Sequence, residues 1–95
     1  MSLSPDAQDI FGSYEFCEEE RRHLIDYFTE CKKQMAYQID NPGEANWDET
    51  IRLHKELSED GKDLTSELSS YCTAWHYSDQ DWVDLCEDLI KELKK

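Results

Sequence analysis

Four cysteines and three histidines are the residues of this chain whose chemistry suits metal binding or nucleophilic attack. Their spacing argues against both roles. Cys17, Cys31, Cys72 and Cys86 include no C-x-x-C pair, the spacing from which zinc sites are read. The alternative is convergence in three dimensions. If two long helices pair antiparallel, Cys17 lies level with Cys72, a returning third helix brings Cys86 to the same layer, and His76 stands one turn from Cys72. Three thiols and an imidazole in one layer would bind a metal. The competing reading is that each is a small buried hydrophobe, and it is favoured because cysteine is among the most buried residue types. We expect no metal and no cofactor. Cys31 stands about four turns from Cys17 and out of its reach.

Carboxylates three apart occur as Glu15/Glu18, Glu56/Glu59, Asp60/Asp63 and Asp84/Glu87, the spacing of paired magnesium ligands on a helix. In an antiparallel hairpin the first two pairs would stand ~20 Å apart, and Asp84 and Glu87 face away from the apolar stripe of their helix. A solvated acidic surface accounts for them. His54 falls on an apolar seam and His23 beside Glu19, and no serine or cysteine stands in a triad context. The chain reads as non-catalytic.

Charge carries more information. Twenty-three acidic residues against ten basic ones give a formal charge of −13. Phosphates would repel such a surface, which excludes direct nucleic-acid binding and attraction to an anionic membrane and points to a basic protein partner. Glu18/Arg22, Asp48/Arg52 and Lys55/Glu59 are spaced for weak surface pairs. Two ridges have no such balance: Asp81, Asp84, Asp88 and Glu92 near the C-terminus, and Glu56, Asp60, Asp63 and Glu67 in the middle of the chain. Like charges one turn apart cost helix stability, so a sequence that keeps them is using the repulsion or the solubility it brings. With no basic apolar leader and no apolar run of membrane-spanning length, the expected location is cytoplasmic, where thiols stay reduced.

The elements that must position these residues are helical. Ser4-Pro5 opens a short N-terminal turn ending near Gly12, within a segment spanning 1–12. Over 13–39, Cys17, Leu24, Phe28, Cys31 and Met35 recur at spacings of seven, four, three and four, the stripe of helix A. Asp40-Asn41-Pro42-Gly43 stops it. Asn46-Trp47-Asp48-Glu49 has the capping pattern that opens helix B over 46–77. Its seam is Trp47, Thr50, His54, Leu57, Gly61, Leu64, Leu68, Tyr71 and Trp75. Asp60-Gly61 could divide B, but the phase of the seam is kept through it, so B is read as continuous. Ser78-Asp79-Gln80-Asp81 caps helix C over 78–95, with Trp82, Cys86, Leu89 and Leu93 on its apolar side.

The expected fold is therefore all-α, an antiparallel three-helix bundle with two long helices and a shorter C-terminal one. Helix C starts where B ends and is too short to reach the A–B loop. That would leave Met35, Ile39, Trp47, Ile51 and His54 open at the loop end, an apolar patch of the kind that marks a protein contact. Trp75, His76, Tyr77 and Trp82, with Phe11, Tyr14 and Phe16, would plug the other end. The function read from these features is a protein-interaction module, an inhibitor, adaptor or immunity-like protein, that docks a basic partner through the open patch and through Asp81, Asp84 and Asp88. A homodimer closing the same patch on itself, or a small metal-binding or metal-dependent enzyme, are the alternatives.

Overall fold

A computed structural model describes Gly12 and residues 14–94, and among these the chain is compact, all helical and free of strands. The N-terminal turn expected from Ser4-Pro5 lies outside the described residues. The described residues after Gly12 form four helices where three were expected: α1 (Glu18–Asp40), α2 (Asp48–Lys55), α3 (Glu59–Ala74) and α4 (Asp79–Leu93).

Helix α1 has no side-chain cap at Cys17, and Glu18, Glu19 and Glu20 in its first turn complement the positive end of its dipole. Its stripe buries Leu24 and Phe28. The helix stops as expected, with Asn41 N–H returning to Tyr37 O and Gly43 at φ +81°. Asn46 then organises the entry to α2 from one position further out than the capping pattern suggested. Its Oδ1 accepts from Asp48 N–H at 2.9 Å and its own N–H donates to Gln34 Oε1 at 3.1 Å, while Trp47 takes the N-cap position.

Helix B is broken. Glu56 and Leu57 N–H groups bond back three residues to Leu53 and His54, ending α2, and Ser58 starts α3 by accepting from Gly61 N–H at 3.1 Å. Gly61 therefore sits inside the first turn of α3 and is not the point of division. The seam keeps its phase because the one-turn break lets both pieces face the same core, with Leu57, Leu64 and Leu68 all buried. A capping serine followed by Glu59 and Asp60 outweighs periodicity here.

That break reverses the topology downstream. Helix α2 runs antiparallel to α1, with His54 against Tyr27 and Ser58 N–H bonded to Glu20 Oε1 at 3.1 Å. Helix α3 then turns back and runs in the same sense as α1, so α4 starts at the far end. Gln38 Nε2 donates to Asp79 Oδ2 at 3.3 Å, and Arg21 Nη1 donates to the Leu93 carbonyl at 3.4 Å, which sets α4 antiparallel along the whole of α1. The expected placement of helix C, starting beside the first turn of helix A and leaving the A–B loop bare, is thus corrected: α4 begins beside that loop. Leu85, Cys86, Leu89 and Leu93 from α4 join Leu24 and Phe28 in one core. Each leucine so buried stabilises the fold by about 1.5–3 kcal/mol relative to exposure.

The α3–α4 turn closes with a Schellman arrangement. Tyr77 N–H bonds to Cys72 O at 2.9 Å, His76 N–H bonds to Thr73 O at 3.2 Å, and His76 takes φ +55°, where glycine is usual. The accompanying ring contact is Tyr71 against Tyr77, with centroids 5.8 Å apart. Ser78 and Asp81 then form the expected capping box that opens α4.

Candidate functional site

With α4 laid over the loop end, the residues of the expected patch divide. Met35 and Trp47 turn inward, half-buried, to share a cavity with Trp82 of α4. His54 is half-buried too, its Nε2 3.1 Å from Thr65 Oγ1 and its ring 5.6 Å from that of Tyr27. Only Ile39 and Ile51 of the five stay on the surface, 41% and 52% exposed.

The acidic ridge of helix C does not form a continuous surface either. Asp81 is committed to the capping box, Asp84 Oδ1 accepts from Gln80 Nε2 at 3.2 Å, and Asp88 is buried. Among the expected ion pairs, Arg22 meets Glu18 at 3.2 Å, while Arg52 pairs with Glu49 and Glu56 instead of Asp48. The Arg52 guanidinium holds the Glu49 carboxyl below the usual range.

The ridge in the middle of the chain is different. Asp60, Asp63 and Glu67 lie at three- and four-residue spacing along α3, all exposed, and among the described residues no cation pairs with any of them. Their field is felt by Tyr14, which lies across this face and donates its hydroxyl to Glu67 Oε1 at 2.6 Å. That hydrogen bond, with added repulsion from Glu67, Asp63 and Asp60, pushes the Tyr14 phenol up to about 12. The same row continues through Tyr71 to Trp75, whose ring is 6.1 Å from that of Tyr71 and which is 63% exposed. Trp75 had been expected in the core plug. The helix ends at this residue and the left-handed turn at His76 carries the chain away, leaving the indole outside. Tyr14 and Phe16 stack on each other with centroids 5.7 Å apart.

The thiols gather in an unexpected combination. Cys17 is exposed at the start of α1 and His76 is exposed at the α3–α4 turn, so the four-residue layer with Cys72 and Cys86 does not assemble. Cys31, expected to stand alone, lines the same cavity as Cys86. Burial pushes the Cys31 thiol up to about 11 and the Cys72 thiol up to about 12, and it raises Cys86 further, so all three are neutral in the fold. Thiols in this state are poor ligands and poor nucleophiles. Among the described residues no group of three or more His, Cys, Asp or Glu side chains is placed to hold a metal ion. No described helix is long and apolar enough to cross a membrane.

The site that remains is a surface: a row of unneutralised carboxylates on α3 with tyrosines beside it and a solvent-facing tryptophan at its end. Sequence reasoning found three carboxylates of the ridge, while Glu56, expected as its fourth, caps α2 and pairs with Arg52; it missed Tyr14 and Trp75 as the ridge's neighbours. Comparison of the chain with known protein families, curated proteins and solved structures gave no match.

Proposed function

We propose that this chain is a non-catalytic interaction module that docks a basic protein partner along the outward face of α3. The observation that carries the reading is the row Asp60, Asp63 and Glu67, which no cation among the described residues neutralises, running toward the exposed Trp75. From Asp60 to Trp75 the row extends ~22 Å at helical rise, the span of a small protein contact. Carboxylates of one sign steer a cationic surface and reject competitors of their own charge, and a tryptophan at the edge supplies the apolar anchor that charge alone lacks. Glu67 already holds Tyr14, so one carboxylate of the row is fixed before the partner arrives. A formal charge of −13 on each copy disfavours closing this face on a second copy.

The test compares wild type with Asp60→Asn/Asp63→Asn/Glu67→Gln and with Trp75→Ala in capture from native lysate, with mass analysis of what is retained. The expected outcome is a basic protein held by wild type, released by moderate salt, and lost from both variants while their helicity is unchanged. Retention of the same partner by both variants refutes the assignment of this face. A sedimentation mass twice that of the chain, unaffected by either variant, would favour a dimer through Ile39 and Ile51.

A further inference from the structure

A cavity of about 180 Å³ lies between the four helices, with Tyr27, Phe28, Trp47, Trp82, Cys31 and Cys86 among its lining residues. A protein cavity of roughly 150 Å³ lined by apolar side chains is large enough to take up benzene. Three features distinguish this cavity from a packing defect. Four aromatic rings, two from α1, one from α4 and one from the α1–α2 loop, border it, an arrangement that presents π faces and edges to a flat guest. Its thiols are neutral and no carboxylate or cationic side chain is among its lining residues, so its interior favours an uncharged molecule. Its wall also holds a polar atom without a partner. Thr50 lines the cavity, is 7% exposed, and its buried Oγ1 makes no hydrogen bond. The neighbouring hydroxyl, Thr65 Oγ1, is already committed, donating to Lys62 O at 2.8 Å and meeting His54 Nε2.

A buried hydroxyl left unpaired costs stability, and a fold this size has alternatives: valine has the same shape and no such cost. We infer that the cavity is a binding site for a small, neutral, planar molecule of one aromatic ring that bears a single hydrogen-bonding group, with the rings of Trp47 and Trp82 against it and Thr50 Oγ1 as its polar contact. A phenol has this chemistry. A quaternary ammonium, the other guest that aromatic walls select, would carry its charge into a lining that holds no carboxylate to balance it and would leave the Thr50 hydroxyl unmatched.

The experiment uses the full chain with phenol, benzene and tetramethylammonium as probes, followed by the backbone and indole N–H resonances of Trp47 and Trp82 and by the amide of Thr50. Phenol is expected to saturate at one equivalent, with the shifts confined to the cavity. In Thr50→Val, which keeps the side-chain shape, the ratio of phenol to benzene affinity is expected to fall by about tenfold, the equivalent of one hydrogen bond, because the differing hydration of the two probes cancels in the ratio. Absence of saturable binding of phenol and benzene by wild type overturns the site. An unchanged ratio in Thr50→Val overturns the role of Thr50, and tighter binding of tetramethylammonium than of phenol overturns the neutral-ligand assignment.

Discussion

Gly61 and Glu20 provide the most direct test of why helix B divides at Ser58. A Cβ placed on Gly61 would stand 2.5 Å from Glu20 Oε1, far inside van der Waals contact. That same oxygen accepts the Ser58 N–H at 3.1 Å, holding the start of α3 against the first turn of α1. An alanine at 61 must therefore displace the carboxylate and break the bond. Alanine in a helix is worth about 0.8–1 kcal/mol over glycine, whereas a hydrogen bond to a charged group contributes about 1.5–3 kcal/mol. Glu20 is half-buried, so the lower end applies, and Gly61→Ala should destabilise the native chain by about 0.5–1 kcal/mol. In a Glu20→Ala background the obstruction is gone, and the same substitution should stabilise by a similar amount, giving a coupling of about 1–2 kcal/mol. The second close contact, with Leu57 Cβ at 3.3 Å, is present in both backgrounds and drops out of the difference. Urea denaturation of the four proteins followed by circular dichroism measures the cycle. A coupling below about 0.5 kcal/mol would mean that Gly61 is not there to admit Glu20, and the contact between α1 and the α2–α3 turn would need another cause.

Thr50→Val removes the orphaned hydroxyl without changing shape and should raise stability by about 1–2 kcal/mol in the same denaturation assay; a loss would mean that Oγ1 has a partner in solution. His76→Gly should stabilise by about 0.5–1 kcal/mol, because φ +55° is strained for any side chain and free for glycine, and a destabilised variant would refute the Schellman turn. The thiols of Cys31 and Cys72 and the phenol of Tyr77 are raised by burial to about 11, 12 and 12, so the folded state holds protons that the unfolded chain releases earlier. Their contribution is fully present below about pH 9 and is lost as pH climbs through the folded values; alkaline melts should show stability falling in that window, with a shallower fall in Cys72→Ala. Near neutral pH a thiol reagent should modify exposed Cys17 at once and buried Cys72 and Cys86 only on unfolding, so Cys17→Ser should abolish the fastest phase. Repulsion among unpaired carboxylates should make the melting temperature climb from low to moderate salt, and a fall would show that the surface pairs of Arg22 and Arg52 outweigh it.

The parts of this fold that sequence reading recovered are those set by local chemistry within one turn. The stop at Asp40-Asn41-Pro42-Gly43, the capping box at Ser78 and the stripe of α1 each depend on neighbours a few residues away. The break at Ser58 was equally local, a serine cap followed by two acids, and it was missed because the apolar period runs through it undisturbed. Two helices joined by a single turn can keep phase when both lie on the same core, so continuity of pattern does not imply continuity of helix. Everything that depended on direction then went the other way. One extra reversal carries α4 to the opposite end of α1, and with it goes the idea of an uncovered loop.

The same reversal explains what was legible of the candidate site. Spacing alone marks Asp60, Asp63 and Glu67 as neighbours on one helix, because a three- and four-residue step places side chains on one face wherever the helix lies. It cannot tell that Tyr14, more than fifty positions from Glu67 in the chain, crosses that face, nor that Asp88, equally well spaced, is buried. Trp75 belongs to the seam by number, yet the backbone leaves the helix there and His76 turns it aside. Thr50 also belongs to the seam, and its burial was foreseeable from its position. Whether a hydroxyl so buried finds a partner depends on what α3 and α4 bring across from it. They bring Thr65, already bonded to Lys62, and the ring of Trp82, so the hydroxyl is left without a partner in the wall of a cavity and the residue changes from a packing position into a candidate contact for a ligand.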